Sequence, residues 1–159
     1  MKNLLVALFC LMILCSFNTS VSHDPDEQEK SLIKKEIETI VHDFFNPETL
    51  NYATHTGLRA NREGYLMAGD GKIMFTDYPS YQAQMKLSFG NMQRFTEAKA
   101  DRTYTYVLAK DAAACTTEFQ SKYLTNKGDT IVNNGCWTFV FKKFDGQWKV
   151  IQENGTHTK

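Results

Sequence analysis

Four side chains in the C-terminal part of the sequence could act together on a small molecule: Glu118, Trp137, Gln152 and Asn154. A carboxylate, an indole N–H and two amides supply complementary acceptors and donors. The carboxylate is informative on an otherwise apolar face, because burying it unpaired is costly. A hairpin brings these residues together. Asp145-Gly146 lies between two alternating apolar runs and reads as a type I′ turn, whose central residues both need φ > 0. With Phe144 opposite Gln147, Phe141 pairs with Val150, Phe139 with Gln152 and Trp137 with Asn154. Trp148 and Val150 then face the interior, while Lys149 and Ile151 face away. Carried through the preceding hairpin at Asn126–Asp129, the register sets Glu118 beside Trp137, Thr116 beside Phe139 and Ala114 beside Phe141. The polar end of this face reads either as the wall of a ligand pocket or as a rim cluster satisfied by its neighbours and solvent.

Other chemistry is thinly represented. His42, His55 and His157 have no spacing to one another or to carboxylates that suits a metal, so neither a metal nor a cofactor is expected. Gly69-Asp70-Gly71 reads as turn chemistry, and no phosphate-cradling glycine loop is present. Basic residues are scattered among strand-like aromatics, which disfavours nucleic acid as a partner. Asn154-Gly155-Thr156 matches a glycosylation sequon.

The frame that must hold these residues follows from pattern. Leu4–Phe17 is an apolar run followed by small residues at Ser20 and Ser22, as in a cleaved signal peptide, and it is short for a bilayer span. A lipid anchor at Cys10 or Cys15 fits less well, because Phe9 and Leu14 are bulky before them. Removing residues 1–22 from the 159 leaves 137 residues, expected to form a single domain (23–159) that is secreted or periplasmic. With Lys2 gone, 17 basic residues face 18 acidic ones, a net charge of about −1. The same register holds Cys115 and Cys136 roughly 13 Å apart along the strands, beyond disulfide reach.

Asp24, Pro25 and Glu27 suggest a capped helix whose stripe is Ile33, Ile37, Ile40, Val41, Phe44 and Phe45. Short helical stretches are expected after Asn46 and over residues 62–67, then a strand at 72–76 and a helix capped by Ser80. Four strands follow, near 103–109, 112–123, 130–144 and 147–156, with connections short enough for an antiparallel meander. Helices with apolar stripes ahead of a sheet with one apolar face define an α+β domain.

This order of elements, with Cys136-Trp137-Thr138-Phe139 leading into Phe144-Asp145-Gly146-Gln147-Trp148-Lys149-Val150, resembles the nuclear transport factor 2-like superfamily over most of residues 25–157. The superfamily includes SnoaL-like and ketosteroid-isomerase-like proteins. The resemblance implies a cone-shaped α+β fold, a curved sheet around a long helix with a cavity at the wide end, and in many members a homodimer through the outer sheet face. Here that face would carry Cys115, Thr117, Phe119, Cys136, Thr138, Val140 and Ile151. Asp77 occupies a place similar to the isomerases' general base, and would act as one if burial raised its pKa; otherwise it is a turn residue before Pro79. The isomerases' oxyanion donors fall at Val41 and Val140, which argues against steroid-type chemistry. Relative to the isomerases, an insertion between Asn46 and Asn61 adds Tyr52 and His55 near the cavity mouth. The leading expectation is an exported domain that binds a small, partly apolar molecule. The alternatives are a cofactor-free isomerase, cyclase or hydrolase using Asp77 or Glu118, and a non-catalytic module acting through the outer sheet face.

Overall fold

The computed structural model describes residues 24–158; the signal-peptide expectation lies outside them. Helix α1 spans Glu27–Phe44 and begins two residues later than its sequence suggests. Asp26, not Asp24, is its cap: Asp26 accepts from the Glu29 N–H while the Glu29 carboxylate accepts from Asp26 N–H. The expected stripe is buried, with Ile33, Ile37, Val41 and Phe45 packed on Phe139, Phe141 and Val150 of the sheet.

After α1 come the short helix α2 (Tyr52–Gly57), capped by Asn51, and a hairpin of β1 (Leu66–Gly69) and β2 (Lys72–Phe75). The helix expected over 62–67 is not formed. Its last residues, Leu66 and Met67, pair with Gln152 and Glu153 instead, a tertiary partnership that local helix preference does not reveal. Asp70 and Gly71, with φ of 50° and 81°, close the β1–β2 hairpin. Helix α3 (Tyr78–Gly90) follows, capped by Asp77 with Pro79 in its first turn. Strands β3 (Met92–Ala109), β4 (Ala112–Thr125), β5 (Thr130–Phe144) and β6 (Gln147–Thr158) then form an antiparallel meander.

The sheet order is β2-β1-β6-β5-β4-β3, and β1 runs parallel to β6. The six-stranded sheet is therefore mixed rather than wholly antiparallel, and it is open at β2 and β3. The expected turn is present: Asp145 and Gly146 have φ of 50° and 79°, and Phe144 pairs with Gln147. Trp148 and Val150 are buried as the turn requires.

Two register differences follow, each with a local cause. On β6 a bulge intervenes between Phe141↔Val150 and Val140↔Gln152, so Glu153 opposes Phe139 and Asn154 opposes Thr138. At the β4–β5 turn, Thr125 N–H bonds to the Asp129 carbonyl at 2.8 Å, and Gly128 takes φ of 87°. The loop is thus three residues with a left-handed glycine, not the two-residue loop implied by an even register. Thr117 therefore pairs with Trp137, Cys115 with Phe139 and Ala113 with Phe141. A slip of one residue exchanges the faces. Cys115, Thr117 and Phe119 are buried against the helices, and Cys136 is exposed on the other side; both thiols are free.

Candidate functional site

The inner face of the sheet, the end of α1, α2 and α3 enclose a partly open cavity of about 500 Å³. Its wall is mainly aromatic and thioether: Phe44, Phe89, Phe119 and Trp137 with Met67 and Met85 represent each side. Such a lining offers dispersion contacts and few fixed polar contacts, the composition of a small-molecule site.

Beside the cavity is a buried ion pair that sequence reasoning missed. Two backbone bonds to Val150, from Ala60 N–H and to the Leu58 carbonyl, lay residues 58–60 along β6 and aim Arg59 inward. Because of the β6 bulge, Glu153 meets it. Arg59 Nε donates to Glu153 Oε1 at 2.9 Å and Nη2 to Oε2 at 2.7 Å; the side chains are 3% and 1% exposed. Tyr65 O–H donates to Oε1 at 2.6 Å and Trp137 Nε1–H to Oε2 at 3.1 Å. Arg59 Nη1 donates to the His55 carbonyl at 2.8 Å, and the guanidinium lies 4.7 Å from the Phe44 ring centroid. Burial pushes the Glu153 carboxyl up, but the Arg59 charge and these donors outweigh it and hold its pKa below the usual carboxylate value. Burial alone would lower the Arg59 pKa, yet Glu153 raises it, so both groups are charged. Their charges cancel, leaving a cavity without a free counter-ion from this pair.

Space for the indole comes from glycine. A Cβ on Gly155 would stand 2.4 Å from Trp137 Cε3, so only a residue without a side chain lets Trp137 lie over β6 and reach Glu153.

The structure brings three of the residues singled out from sequence to the cavity: His55, Trp137 and Phe139. Tyr52 packs on Phe89, with centroids 6.2 Å apart. Glu118, Thr116, Gln152 and Asn154 are on the opposite face from Trp137, because both hairpins carry the register differences described above. Glu118 pairs there with Arg102, whose Nε donates to Oε2 at 2.9 Å. Thr116 shares a hydrogen bond with Thr138 at 2.8 Å, and Gln152 and Asn154 are exposed. Asp77 accepts the Ser80 N–H at 2.8 Å and its hydroxyl at 2.9 Å, a helix cap on an exposed residue.

These placements have measurable consequences. Asp77→Ala removes the cap and is expected to destabilise the protein by about 1 kcal/mol in urea denaturation. Glu118→Gln breaks one exposed ion pair and is expected to change stability by less than about 0.5 kcal/mol, with ligand affinity unaltered in calorimetry.

Two histidines border the cavity. His55 Nδ1 lies 2.8 Å from Tyr81 Oη, and the rings stack at 6.1 Å. Burial, then the neighbouring Arg59 charge, holds the His55 pKa well below its ordinary value, so the ring is neutral at pH 7. His157 is at the rim, packed on Trp137 at 5.4 Å, and donates from Nδ1 to Asp70 Oδ2 at 2.9 Å. Asp70 also accepts the His157 backbone N–H at 2.8 Å, and these bonds lower its pKa. Among the described residues no three His, Cys, Asp or Glu side chains converge as metal ligands would, and no helix is long and apolar enough to cross a membrane.

No protein-family model and no curated protein matches this sequence. Solved structures do match. An NTF2-like protein from Prochlorococcus is 23% identical over 79% of this chain and 93% of its own, with a TM-score of 0.61. A nuclear transport factor 2-like superfamily protein from Salmonella enterica is 14% identical over 81% and 93%, at 0.67. A hexachlorocyclohexane dehydrochlorinase from Novosphingobium barchaimii is 9% identical over 81% and 87%, at 0.57. The chain has the nuclear transport factor 2-like α+β fold, as its order of elements and its Phe-Asp-Gly-Gln-Trp turn suggest.

Proposed function

We propose that this chain binds a small, uncharged, largely apolar molecule inside the cone. One observation carries the reading: a cavity of about 500 Å³ whose wall is mostly aromatic and thioether, beside a buried ion pair that is already neutralised. Isothermal titration calorimetry with naphthalene tests it. Saturable one-to-one binding is expected for the wild type, with at least tenfold weaker binding for Ser88→Trp, which puts an indole into the cavity from α3. Equal binding by both proteins would count against the cavity.

Catalysis is the second reading, supported by the dehydrochlorinase among the similar structures. Asp77 and Glu118 are weak candidates for its acid or base, since each is exposed to solvent and engaged elsewhere. We also propose export after cleavage near residue 22, which N-terminal sequencing of the secreted or periplasmic protein checks. A homodimer through the outer sheet face is a further proposal. With Cys115, Thr117 and Phe119 turned inward, its support shifts to Tyr104 and Tyr106, each 71% exposed, together with Leu108 and Val140. Sedimentation at micromolar concentration is expected to show a dimer that Tyr104→Glu dissociates.

A further inference from the structure

We infer that the two cavity histidines are held in opposite tautomers, so that the site selects a neutral molecule carrying both a carbonyl and a hydroxyl group. The inference rests on the binding reading above and names its ligand class. Tyr81 is fully buried, and its hydroxyl has one partner among the described residues, His55 Nδ1. Burial, reinforced by the Glu153 charge against that of Arg59, raises the Tyr81 pKa, so the hydroxyl keeps its proton. A buried O–H without an acceptor is costly, which makes Tyr81 the donor and Nδ1 the acceptor. The neutral His55 ring therefore carries its proton on Nε2, the nitrogen with no protein partner among the described residues, and offers an N–H donor at the cavity wall.

The His157 ring is fixed the other way. Asp70 is a carboxylate that only accepts, and it takes the Nδ1–H, while its second oxygen takes the backbone N–H of the same residue. In the uncharged ring Nε2 is then the lone-pair acceptor. Both rings line the same cavity, with the Trp137 and Phe119 rings against His157 and Phe89 against His55. A flat apolar molecule between these walls meets one donor and one acceptor. A carbonyl oxygen satisfies His55 and a hydroxyl satisfies His157.

Two measurements test this at pH 8. Long-range ¹H–¹⁵N correlation of the imidazoles in the full protein is expected to show His55 protonated on Nε2 and His157 on Nδ1. The opposite tautomer at either residue would overturn the inference whether or not anything binds. Calorimetry with naphthalene, 2-naphthol, 2-acetylnaphthalene and 6-acetyl-2-naphthol is expected to show a gain of about three- to tenfold for each polar group. Asp70→Asn keeps an oxygen for the backbone N–H and turns an amide N–H toward Nδ1. At a φ of 50° asparagine is well tolerated. The His157 tautomer should invert and the hydroxyl gain shrink, because an aromatic hydroxyl accepts from Nε2–H less well than it donates to a lone pair, while naphthalene affinity is unchanged. Equal affinities for all four probes would overturn the selection. If none of the four binds although both tautomers are as expected, the cavity reading falls and the ligand class with it.

Discussion

Glu153→Ala is expected to be among the most destabilising single substitutions in this protein, at about 3–5 kcal/mol. Removing the carboxylate strands the Arg59 guanidinium, whose side chain is 3% exposed, and takes the acceptor from Tyr65 and Trp137 at once. Against a typical total stability of about 5–15 kcal/mol, this is a large fraction. The urea midpoint should fall by about 2 M with little change in slope. The companion test is Arg59→Met combined with Glu153→Gln, which removes both charges and leaves an amide oxygen for Trp137 or Tyr65. It should recover at least half of the loss, since the penalty lies in the unpaired charge more than in the missing attraction. A loss below about 1 kcal/mol for the single substitution would mean that the pair does not hold this end of the sheet to residues 58–60.

The second large effect depends on pH. Burial and Arg59 hold the folded-state pKa of His55 well below the ordinary 6.5. Below that pH the unfolded chain takes up a proton on His55 that the folded protein does not. The folded state therefore loses stability as pH falls through 6.5, at about 1.4 kcal/mol per pH unit, until the folded pKa is reached. The loss should accumulate over that window, before the lowered carboxyls of Glu153, Asp70 and Glu36 begin to matter. His55→Gln keeps a hydrogen-bond partner for Tyr81 and does not titrate, so its stability should be flatter between pH 7 and 5. Parallel curves for the two proteins would show that His55 is not held neutral by burial.

The helix stripe, the Asp145-Gly146 turn and the order of elements were readable because each rests on local chemistry: period, φ > 0 residues and capping side chains. The inner face of the sheet was not, because a face assignment propagates every register error along a strand. An alternating count from Val150 points Gln152 inward, and a bulge at Ile151 substitutes Glu153. Three consecutive polar residues, Gln152-Glu153-Asn154, give no apolar marker by which to detect that shift. A signal was nevertheless present in Gly135 and Gly155. Each is a strand glycine, and each marks a close approach, of Phe119 and of Trp137 respectively. Glu118 was drawn into the pocket by the same count at the Lys127-Gly128 loop, where one left-handed glycine makes the connection odd rather than even. Arg59 has no periodic signature at all, since it sits in a loop and is placed by two backbone bonds to β6.

The most direct test of an internal binding cavity is an intermolecular NOE experiment on the protein saturated with naphthalene. Cavity residues Met67, Met85 and Met92 carry methyl groups on three different walls, from β1, α3 and β3, while Tyr104 and Tyr106 mark the exposed outer face. Cross-peaks from naphthalene protons to those three methyls and to the Trp137 ring, with none to Tyr104 or Tyr106, are expected. Cross-peaks confined to Tyr104 and Tyr106, or none to any cavity methyl at saturation, would contradict it.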